Sequence, residues 1–278
     1  MAVLHTYEVG YCMHPACVAL KGGGFKLCRF PARAYVIEVG RDLWVWDTGY
    51  ASHFHSHTAR GVYRLYPAVT PVHFKNDEAL ILQLAEHGIG REDIRGIVVS
   101  HFHGDHIAGL RDFPGVEVYA SQPGWDYYKL LKGLRAVRKG FVPGLIPEDF
   151  ESRLGFVEEW EYGALPAELA PFEEGWALPH SKGEVFVVSL PGHARGHLGV
   201  FIRTAAGWIL LAADAAWAPE NYTELRQPAW ISRLIMDDAK HMFQTLQKLH
   251  ELHKRGKVKI QLAHEGGIPS TSVTESAL

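Results

Sequence analysis

The segment Ser100–His106 constrains the fold and the chemistry of this chain more than any other part of the sequence. It contains three histidines and one aspartate, and it directly follows the apolar run Gly96–Val99. A short apolar run with β-branched residues is typical of a buried strand, so these polar side chains come at a strand end. Imidazole and carboxylate groups this close together are typical metal ligands. The segment therefore predicts a metal site that uses His101, His103, Asp105 and His106.

One short segment cannot close a coordination shell, so further ligands have to come from other strand ends. Rigid strand ends hold side chains in fixed positions, and three later apolar runs are each followed by a ligand residue. These residues are His193 after the run 184–190, Asp214 after 208–211 and His264 after 258–262. Seven ligands exceed the needs of one tetrahedral ion and suit two ions that share a carboxylate. We therefore expect a two-metal centre.

The order of the apolar runs predicts an α/β (α+β) fold with two sheets. The runs 34–39 and 43–46 flank Gly40-Arg41-Asp42, which predicts a β-hairpin. Apolar residues recur at helical spacing in 76–87 and in 237–255, which predicts a helix in each segment. Strand runs with flanking helices occur in both halves of the chain, so we expect two sheets packed face to face and covered by helices.

The segment 121–183 departs from this pattern. It carries several prolines and glycines, a basic stretch from Lys129 to Lys139, and then acidic residues around 148–174. We interpret it as a helical or loop-rich cap inserted into a single domain that covers residues 1–278. The basic stretch is interpreted as a solvated helix face.

The composition of the chain limits which binding partners and which cellular compartment we expect. Apolar residues make up 47% of the chain and charged residues 21%, which is ordinary for a soluble globular protein. A net charge of −3 argues against a nucleic-acid partner. The longest apolar runs are too short to span a bilayer, so we expect no membrane partner. Three cysteines and the lack of a recognisable signal peptide predict a reducing, cytoplasmic location.

The ordered ligand set resembles that of the metallo-β-lactamase superfamily. Asp47-Thr48-Gly49 matches the Asp-x-Gly turn of that family, and we expect Asp47 to orient a ligand imidazole. The resemblance implies a four-layer αββα sandwich that binds two divalent metal ions. Zinc is the expected metal, and iron, manganese or cobalt also suit the ligands. By analogy, the first ion binds His101, His103 and His193, the second binds Asp105, His106 and His264, and Asp214 bridges them.

Within the superfamily, the chain is most similar to the quorum-quenching N-acyl-homoserine lactone lactonases. The loop Pro191–His197 resembles their Pro-Gly-His-x-x-Gly-His loop, and Gly10–Met13 with the segment 30–38 resembles their N-terminal part. The chain also ends soon after His264, so we expect it to lack the C-terminal helical domain of glyoxalase II-like members.

One residue departs from the lactonase pattern. The lactonases place a substrate-contacting tyrosine three residues after the bridging aspartate, and Trp217 stands at that position here. An indole can stack on a substrate but offers no phenolic hydroxyl, and Tyr222 is a candidate to replace it. We expect Trp217, Tyr222 and Trp230, together with the cap, to form an apolar pocket for an acyl chain.

The resemblance implies a hydrolase that opens a lactone. A hydroxide shared by the two ions attacks the carbonyl carbon, with Asp105 and Asp214 as the catalytic carboxylates and Asp105 also carrying a proton. The expected partner is a small lactone or ester with an apolar tail. Three alternatives stay open: hydrolysis of another ester, thioester, β-lactam or phosphodiester; an iron-dependent oxidoreductase similar to persulfide dioxygenases; and a catalytically inactive binding protein. The oligomeric state, monomer or homodimer, also stays open.

We expect four other histidines to have roles other than metal binding. His197 lies four residues after His193, and we expect it to form a structural hydrogen bond. His53, His55 and His57 alternate along the loop that follows the Asp47 turn. We expect that loop to form a polar rim of the site and not to bind metal.

Overall fold

Two mixed β-sheets form the centre of the molecule in the computed structural model, which describes residues 1–266. The strands are β1 Val3–Pro15, β2 Leu27–Val39, β3 Asp42–Trp46, β4 Val72–His73, β5 Ile94–Val98, β6 Val118–Ala120, β7 Leu154–Phe156, β8 Tyr162–Ala164, β9 Glu174–Ala177, β10 Val185–Ser189, β11 Leu198–Thr204, β12 Gly207–Leu211 and β13 Val258–Gln261. The first sheet has the order β4-β1-β2-β3-β5-β6-β7, and the second has the order β13-β12-β11-β10-β9-β8.

Helices connect the strands. The α-helices are α1 Ala16–Ala19, α2 Ser52–Thr58, α3 Leu65–Val69, α4 Leu80–Glu86, α5 Gly104–Ile107, α6 Gln122–Tyr128, α7 Gly133–Arg138, α8 Pro219–Thr223 and α9 Ala239–Arg255. Short 3-10 helices cover Gly61–Arg64, Asn76–Glu78, Arg91–Asp93, Ala108–Asp112, Pro143–Leu145, Phe150–Arg153, Val157–Glu159, Ala167–Leu169 and Trp230–Leu234. Within residues 1–266, no helix combines the length and apolar character needed to cross a bilayer.

Successive side chains of a strand point to opposite faces of its sheet. This alternation of side chains separates three apolar layers. Tyr35, Ile37 and Val39 of β2 lie between the sheets and pack in one cluster with Val185 and Val187 of β10. The intervening β2 side chains face the first outer layer, which also contains buried residues of α2, α6 and α7. The outer face of the second sheet packs against the apolar face of α9. The layers therefore run helix, sheet, sheet, helix, which confirms the predicted αββα sandwich.

Most predicted elements are confirmed, with shifted ends. The predicted hairpin is the antiparallel pair β2–β3, in which Val39 lies opposite Asp42. The predicted helix 76–87 is wrong as a continuous element, because Ala79 has an extended ψ of 134° and separates a 3-10 turn from α4. The Glu78 carboxylate accepts a hydrogen bond of 3.0 Å from the backbone N–H of Lys75. That bond closes the first turn before the α-helix begins.

The segment 121–183 contributes to both sheets as well as to the helical layer. Its helices α6 and α7 bury Trp125, Tyr128 and Ala136 against the first sheet. Its strand β7 pairs in parallel with β6, and β8 and β9 extend the second sheet through β10. Whether the remaining loops act as a cap over the site stays a prediction.

Parallel pairing brings the loops of the site together. Strands β3 and β5 run in parallel, with Trp46 opposite Val98, so the loops that follow them leave the same edge of the sheet. Strands β12 and β13 form the corresponding parallel pair in the second sheet. The backbone N–H of Leu198 donates a hydrogen bond of 2.9 Å to the carbonyl of Ser100. This bond joins the two sheets at the edge where the predicted ligands lie.

Helix α9 carries a pH-sensitive N-cap. The Asp238 carboxylate accepts hydrogen bonds from the backbone N–H groups of Lys240 and His241, and the bond from His241 lowers the pKa of Asp238 below its ordinary value of 3.8. The native state therefore binds fewer protons at this group than the unfolded state. Its stabilisation is complete above the ordinary pKa and is lost as pH falls through the lower native pKa.

We expect Asp238→Asn to weaken the acid-induced loss of stability. Asparagine caps a helix about as well as aspartate at neutral pH, but it does not titrate. The thermal unfolding midpoints of the wild type and the variant should agree at neutral pH. Below about pH 4, the midpoint of the variant should fall less steeply with pH than that of the wild type. Asp77→Asn is the control, because Asp77 caps no helix in this way. Parallel pH profiles for the wild type and Asp238→Asn would contradict this role.

Candidate metal centre

The seven predicted ligands meet at one buried place between the sheets. His101 and His103 follow β5, Asp105 and His106 lie in α5, and His193, Asp214 and His264 follow β10, β12 and β13. Each of the seven is at most 7% exposed. Residues from both sheets thus converge within one water-poor environment, although they are spread over more than half of the chain.

The first ligand group contains three imidazoles and one carboxylate. The Nε2 atom of His193 lies 3.2 Å from Nε2 of His101 and 3.0 Å from Nδ1 of His103. The same Nε2 atom lies 3.3 Å from Oδ2 of Asp214. All four residues offer one ligand atom within a common small volume. Two ligands come from the first sheet and two from the second.

The second ligand group uses Asp214 again and adds three other residues. Nε2 of His106 lies 3.3 Å from Oδ1 of Asp214 and 3.6 Å from Oδ2 of Asp105. Nε2 of His264 lies 3.1 Å from Oδ2 of Asp214 and 3.4 Å from Oδ2 of Asp105. Asp214 therefore belongs to both groups, which is the position expected for a bridging carboxylate.

The spacing within both groups fits metal coordination. Tetrahedral zinc with bonds of about 2.0 Å separates its ligand atoms by about 3.3 Å, which agrees with the distances in both groups. Among the described residues, Nε2 of His106 and Oδ1 of Asp214 are buried without a hydrogen-bond partner. Buried polar atoms are rarely left unpaired, and a metal ion bound between these two atoms would satisfy both. The histidine and aspartate residues are thus positioned for a metal site.

Hydrogen bonds to the second ring nitrogen fix the orientation of three ligand imidazoles. Nδ1 of His106 bonds to Oδ2 of Asp47 at 2.7 Å, and Nδ1 of His264 bonds to the carbonyl of Pro31 at 2.7 Å. Nδ1 of His101 lies 3.1 Å from the hydroxyl of Ser100. When Nδ1 donates these bonds, the Nε2 lone pair is free for a metal ion.

Burial and charge give the two histidine sets opposite protonation preferences. Burial lowers the pKa of His101 and His193 well below 6.5 and that of His103 to about 4. These rings are therefore neutral and able to bind a metal ion at neutral pH. Burial opposes charge on His106 and His264 too, but nearby carboxylates outweigh it and raise the pKa of both rings. A metal ion at the second group would replace these protons.

Asp47 holds the first-sheet side of the centre together. It is 1% exposed and accepts three hydrogen bonds of 2.7 Å, from the backbone N–H and hydroxyl of Ser100 and from Nδ1 of His106. Its backbone has a φ of 58°, which asparagine and aspartate tolerate better than most residues. Gly49, two residues further along the same turn, also has a positive φ, and a Cβ there would clash with Val9. The sequence-based role of Asp47 agrees with this geometry.

His197 supports Asp214 through the backbone. Its Nδ1 bonds to the carbonyl of Leu190 at 3.0 Å, and its Nε2 accepts a bond of 3.2 Å from the backbone N–H of Asp214. Burial lowers the pKa of His197 to about 4, so the ring is neutral and one nitrogen can accept. This pattern matches the structural hydrogen bond that we expected.

A cavity opens beside both ligand groups. Its wall contains Cys12, His14, Val18, Phe30, Tyr50, Tyr66, Val69, Thr70, Val137, Gly140, Trp217 and Ile235, with five of the ligands. Trp217 is therefore where the sequence placed it, and its indole N–H donates a bond of 3.1 Å to Oδ2 of Asp214. Among residues 1–266, neither Tyr222 nor Trp230 lines this cavity. Tyr222 packs in the second outer layer, and Trp230 is mostly exposed.

Sequence reasoning missed the two tyrosines of the cavity wall. Tyr50 directly follows the Asp-Thr-Gly turn, and this position was a usable signal. Tyr66 lies on α3, and its ring packs edge-to-face against the ring of Phe54. The Tyr50 hydroxyl is buried and meets no oxygen or nitrogen partner among the described residues, but the Cys12 thiol lies beside it. Burial raises the pKa of Tyr50 well above 10, so it keeps its proton.

The alternating histidines lie on α2, outside both ligand groups formed by residues 1–266. His53 bonds to the carboxylate of Asp112 at 2.7 Å, and the ring of His57 packs closely against Gly144. The expectation that they form a polar rim of the site stays a prediction.

A family model matches most of the chain. The model, described as the metallo-beta-lactamase superfamily, covers residues 29–254. The chain belongs to the metallo-β-lactamase superfamily. Its four-layer sandwich is accordingly the fold of this superfamily.

Curated relatives of this superfamily member include lactonases at low identity. The N-acyl homoserine lactonase AttM of Azorhizobium caulinodans is 25% identical over 198 residues, which cover 69% of this chain and 65% of the relative. A relative from Mycobacterium tuberculosis, named probable metallo-hydrolase Rv2300c, is 28% identical over 214 residues, which cover 73% of this chain and 61% of the relative. The chain thus spans less than two thirds of the length of either relative.

Solved structures of lactonases share the fold. An N-acyl homoserine lactone hydrolase with bound N-hexanoyl-L-homoserine superposes with a TM-score of 0.72 at 19% identity, covering 95% of this chain and 93% of that one. The dizinc quorum-quenching lactonase AidC superposes with a TM-score of 0.65 at 15% identity, covering 99% and 91%. At these identities the similarity establishes the architecture alone.

We expect Asp47→Asn to weaken metal binding without unfolding the protein. The amide tolerates the positive φ, but it offers a single acceptor oxygen in place of two. Either the bond from the Ser100 backbone N–H at Oδ1 is lost, or the bonds from the Ser100 hydroxyl and His106 at Oδ2 are lost. Removing such a supporting partner typically costs about 10- to 100-fold in metal affinity. Zinc affinity measured by chelator competition checks the change, with the exposed Asp126→Asn as a control. Equal affinities in the two variants would show that Asp47 does not support the centre.

Proposed function

We propose that this protein is a dinuclear metal-dependent hydrolase that opens neutral lactones with an apolar acyl chain. His101, His103 and His193 would hold one ion, Asp105, His106 and His264 the other, and Asp214 would bridge them. Bound ions of this type lower the pKa of water and polarise a carbonyl oxygen. Zinc is the proposed metal.

The cavity wall is the observation that carries the substrate class. It combines the ligand groups with apolar side chains such as Phe30, Val69 and Val137. Among residues 1–266, no lysine or arginine lines it. A phosphodiester, or a β-lactam with its carboxylate, would bring a negative charge that only the metal ions, and no basic side chain of this wall, would neutralise. A neutral lactone with an apolar chain meets no such penalty.

Three residues of the cavity wall have separate proposed roles. The Asp105 carboxylate takes a proton from the attacking water and returns it to the alcohol that leaves when the ring opens. Trp217 orients Asp214 through its indole N–H and presents its ring to the substrate. The Tyr50 hydroxyl, which keeps its proton and has only the weakly bonding Cys12 thiol beside it, donates a hydrogen bond to the oxygen that becomes negative during the attack. Tyr50 thus supplies the phenol that Trp217 lacks.

Metal analysis combined with a hydrolysis panel tests the proposal. The purified protein should contain two metal ions per chain and should hydrolyse acyl-homoserine lactones faster than phosphodiesters, thioesters or β-lactams. His106→Ala should lose the second ion and the activity. Two ions without lactone turnover would reject the substrate class and keep the hydrolase. One iron with thiol-dependent oxygen uptake would reject both, and full turnover by His106→Ala would reject the dinuclear mechanism.

We expect Tyr50→Phe to lower kcat about 100-fold, the typical loss when one oxyanion donor is removed. KM should change little, because the donor acts mainly on the charge that develops during the reaction. Steady-state kinetics with a lactone substrate measure both constants. Tyr35→Phe is the matched control, since it also removes a buried hydroxyl, but Tyr35 lies between the sheets. Similar kinetics for the two variants would remove Tyr50 from the mechanism.

A further inference from the structure

Four segments surround the mouth of the cavity, and we call them the mouth ring. They are 16–29, 58–75, 127–147 and 225–236. Each segment contributes at least one apolar residue to the cavity wall, namely Val18, Val69, Val137 and Ile235. The ring is therefore the surface through which any ligand passes on its way to the metal centre.

Hydrogen bonds and packing connect the four segments to one another. The hydroxyl of Tyr63 accepts a bond of 3.1 Å from the backbone N–H of Gly133. The ammonium of Lys139 donates a bond of 2.8 Å to the carbonyl of Met236, and the hydroxyl of Ser232 donates one of 2.6 Å to the carbonyl of Val18. Val18 and Val72 pack against the same buried cluster and close the ring.

The mouth ring carries a strong positive charge in a chain whose net charge is −3. Its four segments contain thirteen of the 28 lysines and arginines and no aspartate or glutamate. Exposed cations of the ring include Lys26, Arg64, Lys132, Arg135 and Arg233. Among residues 1–266, none of these five forms an ion pair, whereas four other cations of the ring pair with carboxylates just outside it, namely Arg29, Lys129, Lys139 and Arg226.

The same ring exposes most of the large apolar side chains of the surface. Of the fourteen that are exposed in residues 1–266, ten lie in these four segments. Phe25, Leu130, Leu134 and Trp230 are each at least 63% exposed. Exposed apolar side chains concentrated in one region mark an interaction surface and not ordinary solvent contact.

We propose that the mouth ring docks on the surface of an anionic phospholipid bilayer. Basic side chains attract anionic headgroups, and neighbouring apolar side chains enter the boundary between headgroups and acyl chains. Within residues 1–266 no helix has the length and apolar character to cross a bilayer, and a peripheral contact needs none. This proposal departs from the sequence-based expectation of no membrane partner, which rested on the short apolar runs alone.

Charge decides between the bilayer and the other partners. A second copy docked through this face by a two-fold axis would place the same cations opposite one another, and like charges in contact disfavour association. A nucleic acid would match the cations but would leave the exposed Leu134 and Trp230 in water. An anionic bilayer satisfies both kinds of side chain.

The docked orientation would point the cavity mouth at the bilayer. If the proposed function holds, a substrate with an apolar chain can enter the cavity from the lipid phase without crossing water. Vesicle binding itself does not depend on turnover, so the docking and the hydrolase proposals can fail separately.

Flotation with lipid vesicles tests the docking. The full-length protein should bind vesicles of phosphatidylcholine mixed with phosphatidylglycerol, should bind pure phosphatidylcholine vesicles weakly, and should dissociate as salt is raised. Removing one cation near such a surface weakens binding about five-fold, so Arg135→Gln with Arg138→Gln should weaken it by more than ten-fold. Leu134→Ser with Trp230→Ser should weaken it too.

Matched variants outside the mouth ring serve as controls. Lys254→Gln with Lys257→Gln removes two exposed charges, and Tyr162→Ser removes an exposed aromatic ring. These variants should bind vesicles like the wild type, and all variants should keep the metal content and thermal midpoint of the wild type.

Three results would overturn the proposal. The first is equal vesicle binding by ring variants and controls, or no preference for anionic lipid. The second is a dimer in sedimentation without any vesicle binding, where Leu134→Ser with Trp230→Ser converts the dimer to a monomer. That result would assign the ring to a second copy of the chain. The third is binding to a DNA duplex without vesicle binding, where the charge variants weaken the DNA binding and the apolar variants do not. That result would assign the ring to a polyanion.

Discussion

The buried carboxylate of Asp47 is the interaction on which the metal centre depends. A negative charge without water is costly unless hydrogen bonds compensate it, and Asp47 receives three, two from Ser100 and one from His106. These bonds join the loop after β3 to the loop after β5 and fix the His106 ring with its Nε2 atom free. The left-handed turn at Asp47 and the close contact of Gly49 with β1 aim the carboxylate at that place.

The second sheet supplies its part of the centre in a comparable way. Asp214 follows β12, and its backbone is held by His197, whose neutral ring accepts from the Asp214 N–H. Its carboxylate receives the indole N–H of Trp217. The loop that carries His193 passes so close to α9 that a Cβ at Gly192 would clash with Met242. Backbone geometry therefore limits where both ligands can lie.

The sequence could bring the seven candidate ligands together because strand ends impose a simple geometry. Parallel strands bring their following loops to one edge, so the loops after β3 and β5 lie side by side and Asp47 meets Ser100. The cavity wall follows no such rule. Tyr66 reaches the cavity by packing of the short α3, which no local pattern marks, and Tyr222 turned into the second outer layer because α8 lies beside α9. The split of the predicted helix 76–87 came from a single side chain, Glu78, that closed an early turn.

Each ligand group draws residues from both sheets, and this arrangement affects how the protein comes apart. The apolar layer between the sheets resists separation only through contacts that weaken gradually with distance, whereas coordination bonds across the same layer break as discrete events. With the ions bound as proposed, unfolding by separation of the sheets would have to release metal first, which raises the barrier and lowers the unfolding rate. Metal supply would then set the lifetime of the folded chain in addition to its activity.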